Sequence, residues 1–209
     1  MRSGDKIVLF DGYGLEFPGT LHSVERKSVT VDLDAGHDPQ TESSLQITLW
    51  HGVCRGERMD YVIQKATELG VCRIKPVFTA RGVVRLDEKR AGKRADHWGK
   101  VAIAAAEQSG RVCVPVIDQP VPLSDALTGA QPGLSLMLEP QAEDCMESIS
   151  IKQSLTLLTG PEGGFTPEER NLALEYGFRL VRMGPRILRS ETAPVAAISV
   201  LQNRFGDLN

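Results

Sequence analysis

The chain has 209 residues, of which 41% are hydrophobic and 24% are charged, and its formal net charge is −3 at pH 7. This composition indicates a globular protein with a sizeable core and excludes a generally basic nucleic-acid-binding protein. No run approaches the roughly 18 apolar residues that span a bilayer, and no signal-peptide pattern opens the chain. The 4 cysteines and 4 histidines lack disulfide-framework or metal-site spacing, so we expect reduced thiols, no metal and a cytoplasmic location.

The first 44 residues predict a small antiparallel β unit. Short alternating or β-branched runs, such as DKIVLFDG and KSVTVDLD, are separated by glycine-rich or charged turns. The polar segment 36–44, GHDPQTESS, predicts a linker. We therefore expect a domain boundary between residues 1–44 and residues 45–209.

From Gln46 onward, predicted strands alternate with predicted helices. In chain order, these elements are strand 46–53, helix 57–69, strand 71–78, helix 86–109, and strands near 112–117, 134–138 and 155–158. The first three form a βαβ unit. The alternation predicts a mainly parallel α/β sheet covered on both faces, with a ligand site at the carboxyl ends of its strands.

The segment 155–170, LTLLTGPEGGFTPEER, places a glycine-rich turn between a buried strand and a helix. Thr166 is the predicted N-cap, Pro167 the first helical residue and Glu169 the capping-box partner. Such a turn offers backbone N–H groups and a positive helix end to a ligand. It lacks the Walker A and GxGxxG patterns, and Glu162 would repel a polyphosphate but tolerate a cationic cofactor. An ordinary tight turn is the alternative interpretation.

Residues 178–205 repeat this arrangement. A strand-like run is followed by a break at Gly184 and Pro185 and by a helix that begins near Glu191. Residues 178–190 contain no acid but four arginines, namely Arg179, Arg182, Arg186 and Arg189. In a chain with a negative net charge, this is a local enrichment of positive charge.

The segments LTGPEGGFTPEE and MGPRILRSETA, with the ending LQNRFGDL, resemble the RsmE family of the SPOUT superfamily. Further similarity lies in RMDYVIQKATELGV, in residues 81–98 and in AAAEQSGRVCVP, so the resemblance runs from about Arg2 to the end. RsmE proteins methylate N3 of a uridine in 16S ribosomal RNA. The resemblance implies S-adenosylmethionine as cofactor, 16S rRNA within the 30S subunit as partner, and a homodimer.

The resemblance also implies a SPOUT-type, mainly parallel sheet with a C-terminal trefoil knot. A small PUA-like β-barrel for RNA recognition is expected before it. Family members usually begin with further residues, so we expect this barrel to be incomplete, with weakened RNA binding or completion by a partner. The C-terminal helix is expected at the dimer interface, although its apolar positions Val195, Ile198, Leu201 and Phe205 fit the core of its own subunit equally well.

The resemblance places two loops and the end of another strand around the cofactor. The residues concerned are Leu138, Glu139, Leu158, Thr159, Gly160, Pro161, Glu162, Gly163, Gly164, Met183, Gly184, Ile187, Leu188 and Arg189. Glycines admit the adenine and ribose against the main chain, while the leucine and isoleucine side chains offer apolar walls. For Glu139, a solvated acid before a turn proline is the alternative interpretation.

Methyl transfer to uridine N3 requires alignment and loss of the N3 proton, and positioning supplies most of the acceleration. The motif places Arg189 to stabilise the uridine anion, while Glu191 accepts a proton or orients Arg189. Phosphate binding for Arg189 and helix capping for Glu191 are the alternatives. The target base must leave any helical stack, which favours a single-stranded or loop site.

The predicted RNA-contacting residues are Arg81, Arg85, Gln108, Arg111 and Arg186. Residues 81–111 contain eight basic and four acidic residues. Such a stripe binds phosphates in a salt-dependent manner, but for residues 89–100 a solvated helix face is the alternative. Two other functions remain open: a non-catalytic RNA-binding or ribosome-assembly protein that keeps the knot, and an unrelated nucleotide-binding enzyme, which the missing fingerprints disfavour.

Overall fold

The computed structural model describes residues 1–84, 88–129 and 133–208 of the chain. Within these ranges a small antiparallel sheet is followed by a larger unit of parallel strands and helices. The start of the predicted helix 86–109 and the predicted RNA-contacting residue Arg85 lie outside the described residues.

The N-terminal sheet consists of β1 (Lys6–Phe10), β2 (Glu16–Val24) and β3 (Val29–Leu33) in the order β1-β2-β3. Both strand pairs are antiparallel, and the register of the second pair shifts between Leu21 and Ser23. The antiparallel unit expected from the alternating sequence is therefore confirmed, while the boundary after residue 44 stays a prediction.

The larger sheet is parallel throughout, with the order β10-β8-β9-β4-β5-β6 and with β7 beside β5. Its strands are β4 (Gln46–Gly52), β5 (Arg73–Phe78), β6 (Val116–Ile117), β7 (Val121–Pro122), β8 (Leu134–Leu138), β9 (Ser154–Thr159) and β10 (Arg179–Val181). The strand predicted over 112–117 shrinks to two residues, and β7 was missed. Strands this short show no usable sequence period.

The helices of this unit are α1 (Glu57–Glu68), α2 (Glu88–Ser109), α3 (Leu123–Leu127), α4 (Pro167–Glu175) and α5 (Thr192–Phe205). A short 3₁₀ turn covers Met146–Ser148. Neither α3 nor this turn was predicted from the sequence. Within the described ranges, no helix combines the length and the apolar character needed to cross a membrane.

Helices cover both faces of the parallel sheet, because alternate strand residues point to opposite sides. On one face, Leu49 and Leu157 join a buried cluster that includes Ile63 of α1, Trp98 of α2 and Ile198 of α5. On the other face, a second buried cluster contains Trp50, Met137, Leu158, Phe165, Ala173 and Phe178. The predicted two-sided covering is confirmed. Ile198 and Leu201 are fully buried in the core of their own chain, so they are not available for a dimer interface.

A buried ion pair joins the linker to the larger unit. Arg111 is 6% exposed, and its guanidinium donates to both carboxylate oxygens of Glu42 and to the carbonyls of Thr67 and Val71. Glu42 also accepts hydrogen bonds from the backbone N–H groups of Val112 and Cys113. The chain around residue 42 is therefore fixed in place, although its polar sequence predicted a simple linker.

The segment between β8 and β9 lies against β10 and α5. The backbone N–H of Arg182 donates to the Asp144 carbonyl over 2.9 Å, and the Arg182 guanidinium donates to the carbonyls of Ala142 and Glu143. From α5, Arg204 donates to the carbonyls of Met146, Glu147 and Ile149. These contacts hold the segment against the C-terminal part of the chain; the trefoil knot itself stays a prediction.

Candidate functional site

A cleft of about 680 Å³ lies at the carboxyl ends of three neighbouring parallel strands, β10, β8 and β9. Its walls come from residues 138–141 after β8, from residues 160–165 after β9, and from residues 183–191 between β10 and α5. Ligands of open parallel sheets bind outside the carboxyl ends of the strands. The cleft therefore occupies the place predicted for the functional site.

The loop of residues 160–165, here called the GPEGGF loop, is fixed at both ends. The Thr166 hydroxyl accepts a hydrogen bond from the Glu169 N–H, and the Glu169 carboxylate accepts one from the Thr166 N–H, with Pro167 in the first turn. This confirms the predicted capping box. At the other end the loop rests on Gly52 of β4, where a Cβ would lie 2.5 Å from the Pro161 nitrogen.

Most of the predicted cofactor-binding residues line the cleft. They are Leu138, Glu139, Gly160, Pro161, Glu162, Gly163, Gly164, Met183, Gly184, Ile187, Leu188 and Arg189. The cleft is also lined by Glu191 and by two of the predicted RNA-contacting residues, Arg81 and Arg186. The two C-terminal motifs, which are separate in sequence, thus form one concave surface.

Four predicted residues lie elsewhere. Leu158 belongs to the apolar cluster beneath the cleft, and the Thr159 hydroxyl faces His51, so neither side chain forms part of the cleft wall. Gln108 and Arg111 lie at the end of α2 that adjoins the start of β5, whereas the cleft lies at the opposite edge of the sheet. The contacts of Arg111 to Glu42 and two carbonyls favour a structural role.

Two acids of the cleft are already paired with arginines. Glu162 accepts from the Arg58 guanidinium over 2.8 Å and from the Arg55 N–H over 3.3 Å. Glu139, only 8% exposed, lies 3.3 Å from Arg170. Partial burial opposes ionisation of Glu162, but hydrogen bonds from its own N–H, the Arg55 N–H and the Arg58 guanidinium hold its pKa below the ordinary value.

The remaining charges leave the mouth of the cleft positive. Within the described part of the chain, the guanidinium groups of Arg186 and Arg189 make no hydrogen bond and no close ion pair, and both are exposed. Glu191 accepts a hydrogen bond from the Ser190 hydroxyl over 3.0 Å. A hydrogen bond from its own N–H, aided by Ser190 and the charges of Arg58 and Arg189, holds the pKa of Glu191 below its ordinary value.

A buried polar network lies directly beneath the cleft and was not foreseen from the sequence. His51 is fully buried, with Nδ1 2.7 Å from the Thr159 hydroxyl and Nε2 3.4 Å from the Cys54 sulfur. Burial lowers the pKa of His51 to about 4 and raises the pKa of Cys54 to about 11, although a hydrogen bond to Ser190 partly offsets the latter shift. Both side chains are therefore neutral at pH 7.

Sequence reasoning also missed Arg58 and Arg170 as cleft residues. Arg58 falls in the predicted helix 57–69, to which no site residue was assigned, and Arg170 follows the capping box directly. Their carboxylate partners lie in separate segments, so no local pattern reveals the pairs. Among the described residues, no group of three or more His, Cys, Asp or Glu side chains is arranged to hold a metal ion.

The parallel α/β fold and the cleft at its strand ends define a class, which comparison with known proteins identifies. Residues 41–202 match the family model described as the RNA methyltransferase domain. The ribosomal RNA small subunit methyltransferase E of Bacillus subtilis is 35% identical over 96% of this chain and 82% of its own length. That of Buchnera aphidicola from Schizaphis graminum is 31% identical over 100% of this chain and 86% of its own length.

Solved structures of similar proteins indicate the same family. The ribosomal RNA small subunit methyltransferase E of Neisseria gonorrhoeae, bound to S-adenosyl methionine, superimposes with a TM-score of 0.94 at 36% identity, covering 100% of this chain and 87% of that one. A methyltransferase of Legionella pneumophila, solved with bound SAM, gives 0.95 at 38% identity, covering 100% and 86%. This chain belongs to the ribosomal RNA small subunit methyltransferase E family of RNA methyltransferases, which confirms the RsmE resemblance and the mainly parallel α/β fold that it implied.

Proposed function

We propose that this protein transfers the methyl group of S-adenosylmethionine to N3 of a uridine in 16S rRNA of the small ribosomal subunit. The observation that carries the proposal is the cleft itself: the glycine-rich GPEGGF loop and the loop of residues 183–191 form a cofactor-sized surface. At its mouth, Arg186 and Arg189 are exposed and have no close partner in the described part of the chain. The family relatives support it, since two similar structures hold S-adenosylmethionine.

The cleft residues fit this cofactor. A volume of about 680 Å³ lies within the range of roughly 300 to 1,000 Å³ typical of small-molecule sites. Leu138, Met183 and Leu188 provide apolar walls, and the GPEGGF loop exposes main chain for the adenine and ribose. The bound cofactor supplies an electrophilic methyl group on a sulfonium centre. Glu162 contributes little free negative charge, because Arg58 neutralises it.

The acceptor nitrogen must lose its proton before or during transfer. We assign Arg189 to stabilising the resulting uridine anion, because its guanidinium is exposed in the cleft and has no other close charge partner among the described residues. Glu191 is better suited to orienting Arg189 than to accepting the proton, since its lowered pKa makes it a weak base. The N3 proton then passes to solvent.

RNA contacts are assigned to Arg81 and Arg186, which flank the cleft from opposite loops. Five arginines and three glutamates line the described part of the cleft, a net positive site in a chain of net charge −3. Such local charge attracts a polyanion despite the overall acidity. We extend the proposal to residues 1–44 as an RNA-recognition unit and to a homodimer, for which light scattering should give twice the 22.8 kDa chain mass.

The deciding experiment incubates the protein with isotopically labelled S-adenosylmethionine and 30S subunits from a strain that lacks the modification. We expect label in 16S rRNA that nucleoside analysis assigns to N3-methyluridine. A protein that binds the cofactor and 30S subunits but leaves no label in uridine would instead be the non-catalytic RNA-binding or ribosome-assembly protein.

A further inference from the structure

The carboxylate of Glu169 holds two separate segments at once. One oxygen accepts from the Thr166 N–H over 2.9 Å, which is the capping-box contact. The other accepts from the Ala80 N–H over 2.7 Å, and Ala80 lies in the turn after β5, 89 residues earlier in the chain. A capping box requires only the first contact. The second contact is not needed for capping, and it fixes the backbone next to Arg81.

The turn that contains Ala80 is packed tightly on the GPEGGF loop. A Cβ on Gly163 would lie 2.8 Å from the Cβ of Arg81 and 2.9 Å from its carbonyl oxygen, so only glycine allows this approach. The Arg81 guanidinium also reaches the Gly163 carbonyl, with Nη1 3.4 Å from the oxygen. Within the turn itself, the Gly82 N–H donates to the Thr79 carbonyl over 3.0 Å.

These contacts give Arg81 a defined position at the mouth of the cleft. Its side chain is exposed and lines the cleft, while its backbone is fixed on one side by Glu169 and on the other by Gly163. A long cation on a free loop would lose rotational and backbone freedom on binding a phosphate, whereas a fixed one loses less. Fixing the Arg81 backbone therefore favours binding of a polyanion at the mouth of the cleft.

We propose that Glu169 is a positioning residue for RNA binding: through Ala80 it holds Arg81 against the cofactor loop, so that the Arg81 guanidinium meets a phosphate of the bound RNA. This inference rests on the proposed function for its ligand. It adds a link between the two ligands, because the same carboxylate orders the GPEGGF loop and the RNA-contacting turn.

The principal variant is Glu169→Gln. Glutamine has one acceptor oxygen where glutamate has two, so it can serve the Thr166 N–H or the Ala80 N–H but not both. Glutamine is tolerated in capping boxes, and α4 should remain folded. Glu168→Gln is the matched control, since it removes a charge from the same helical turn. Hydrogen bonds with its own N–H and with Thr166 chiefly lower the pKa of Glu168, and the charge of Arg81 adds to this. The control therefore also relieves Arg81 of an acidic neighbour and should not weaken RNA binding.

Binding of 30S subunits, measured over a series of salt concentrations, supplies the first test. Glu169→Gln and Arg81→Ala should each weaken binding by roughly ten-fold, the lower end of the range for one charged hydrogen bond, and should reduce the salt slope by about one. The double variant should be no weaker than Arg81→Ala alone. S-adenosylmethionine affinity should change less than about two-fold, because glutamine can keep the capping-box contact to Thr166 that holds the GPEGGF loop.

Hydrogen exchange of the free protein supplies the second test. In Glu169→Gln the Ala80 amide should lose protection, whereas in Glu168→Gln it should not. Additive effects in the double variant, a loss of cofactor affinity equal to the loss of RNA affinity, or unchanged Ala80 protection would each overturn the inference. Absence of methyl transfer by the wild-type protein would sink the proposed function instead, because neither the binding nor the exchange measurement requires turnover.

Discussion

His51 shows at the level of one residue how the site is supported from below. Its imidazole is fully buried between β4 and β9, and its two nitrogens face the Thr159 hydroxyl and the Cys54 sulfur. A buried histidine with both nitrogens occupied remains neutral, because protonation would place an unsolvated charge in the core. The network therefore fixes the strand end beneath the GPEGGF loop without adding charge to the cleft.

This burial predicts a pH dependence of stability. The folded pKa of His51 is about 4 and its unfolded value is 6.5, so the unfolded chain binds more protons between these values. Stability conferred by neutral His51 is complete above pH 6.5 and is lost as the pH falls towards 4, by about 2 kcal/mol between pH 7 and pH 5. Urea unfolding at several pH values measures how the free energy of unfolding depends on pH. His51→Gln should remove the His51 contribution to this dependence, whereas His22→Gln, at an exposed site, should not. Equal slopes in all three proteins would contradict this account.

Arg189 carries the chemical prediction at this scale. Arg189→Ala should lower kcat for 30S methylation by roughly 100- to 1,000-fold, the usual effect of removing a donor to a developing anion. Its residual rate should rise with pH, because deprotonation of N3 is no longer assisted. Lys152→Ala, which removes an exposed cation outside the cleft, is the control. A normal kcat with a raised KM in Arg189→Ala would assign Arg189 to phosphate binding alone.

At the scale of single elements, the local patterns were the predictable part. The capping box of Thr166, Pro167 and Glu169 depends on residues three apart, so the sequence showed it fully. The second function of Glu169 was not predictable, because its partner Ala80 lies 89 residues away and contributes only a backbone N–H. The family resemblance placed Leu158 and Thr159 in the loop that faces the cofactor, but both belong to β9, because a motif match does not say where a strand ends and its loop begins.

The close contact between Gly52 of β4 and Pro161 of the GPEGGF loop leads to a testable prediction. Gly52→Ala would place a Cβ 2.4 Å from the Cδ and 2.5 Å from the nitrogen of Pro161, so the loop must shift. We expect a loss of about 1 to 3 kcal/mol in the free energy of unfolding, typical of overpacking, together with weaker S-adenosylmethionine binding by calorimetry. Gly99→Ala in α2 meets nothing within 4 Å and should be neutral or stabilising. Unchanged cofactor affinity in Gly52→Ala would show that the contact between Gly52 and Pro161 does not shape the cleft.

For the whole molecule, the fold class and the family could be predicted from several motifs in order, whereas the side-chain contacts between segments distant in sequence could not. Glu42 stood in a stretch interpreted as a polar linker, and Arg111 in one interpreted as RNA-binding. Each interpretation was reasonable for an isolated charge. Only the folded chain brings the two side chains together, with the arginine 6% exposed and the carboxylate also accepting two backbone N–H groups.

The Glu42–Arg111 pair gives the corresponding prediction. Glu42→Gln leaves a buried guanidinium without its counter-charge, and removing one partner of such a pair costs on the order of 3 kcal/mol. Urea unfolding at pH 7 measures this loss. Glu25→Gln, at an exposed turn, should change stability by less than about 0.5 kcal/mol. A loss below 1 kcal/mol in Glu42→Gln would mean that solvent replaces the lost charge.

The central position of β4 has a consequence for synthesis of the chain. Its neighbours are β5, which follows closely, and β9, whose Thr159 pairs with His51 across 108 residues. While the chain grows from its N-terminus, β4 and β5 can pair early, but the other edge of β4 stays open until about three-quarters of the protein has emerged. An open, apolar strand edge invites misassociation. Nascent chains released before residue 159 should therefore be the species that binds chaperones and aggregates.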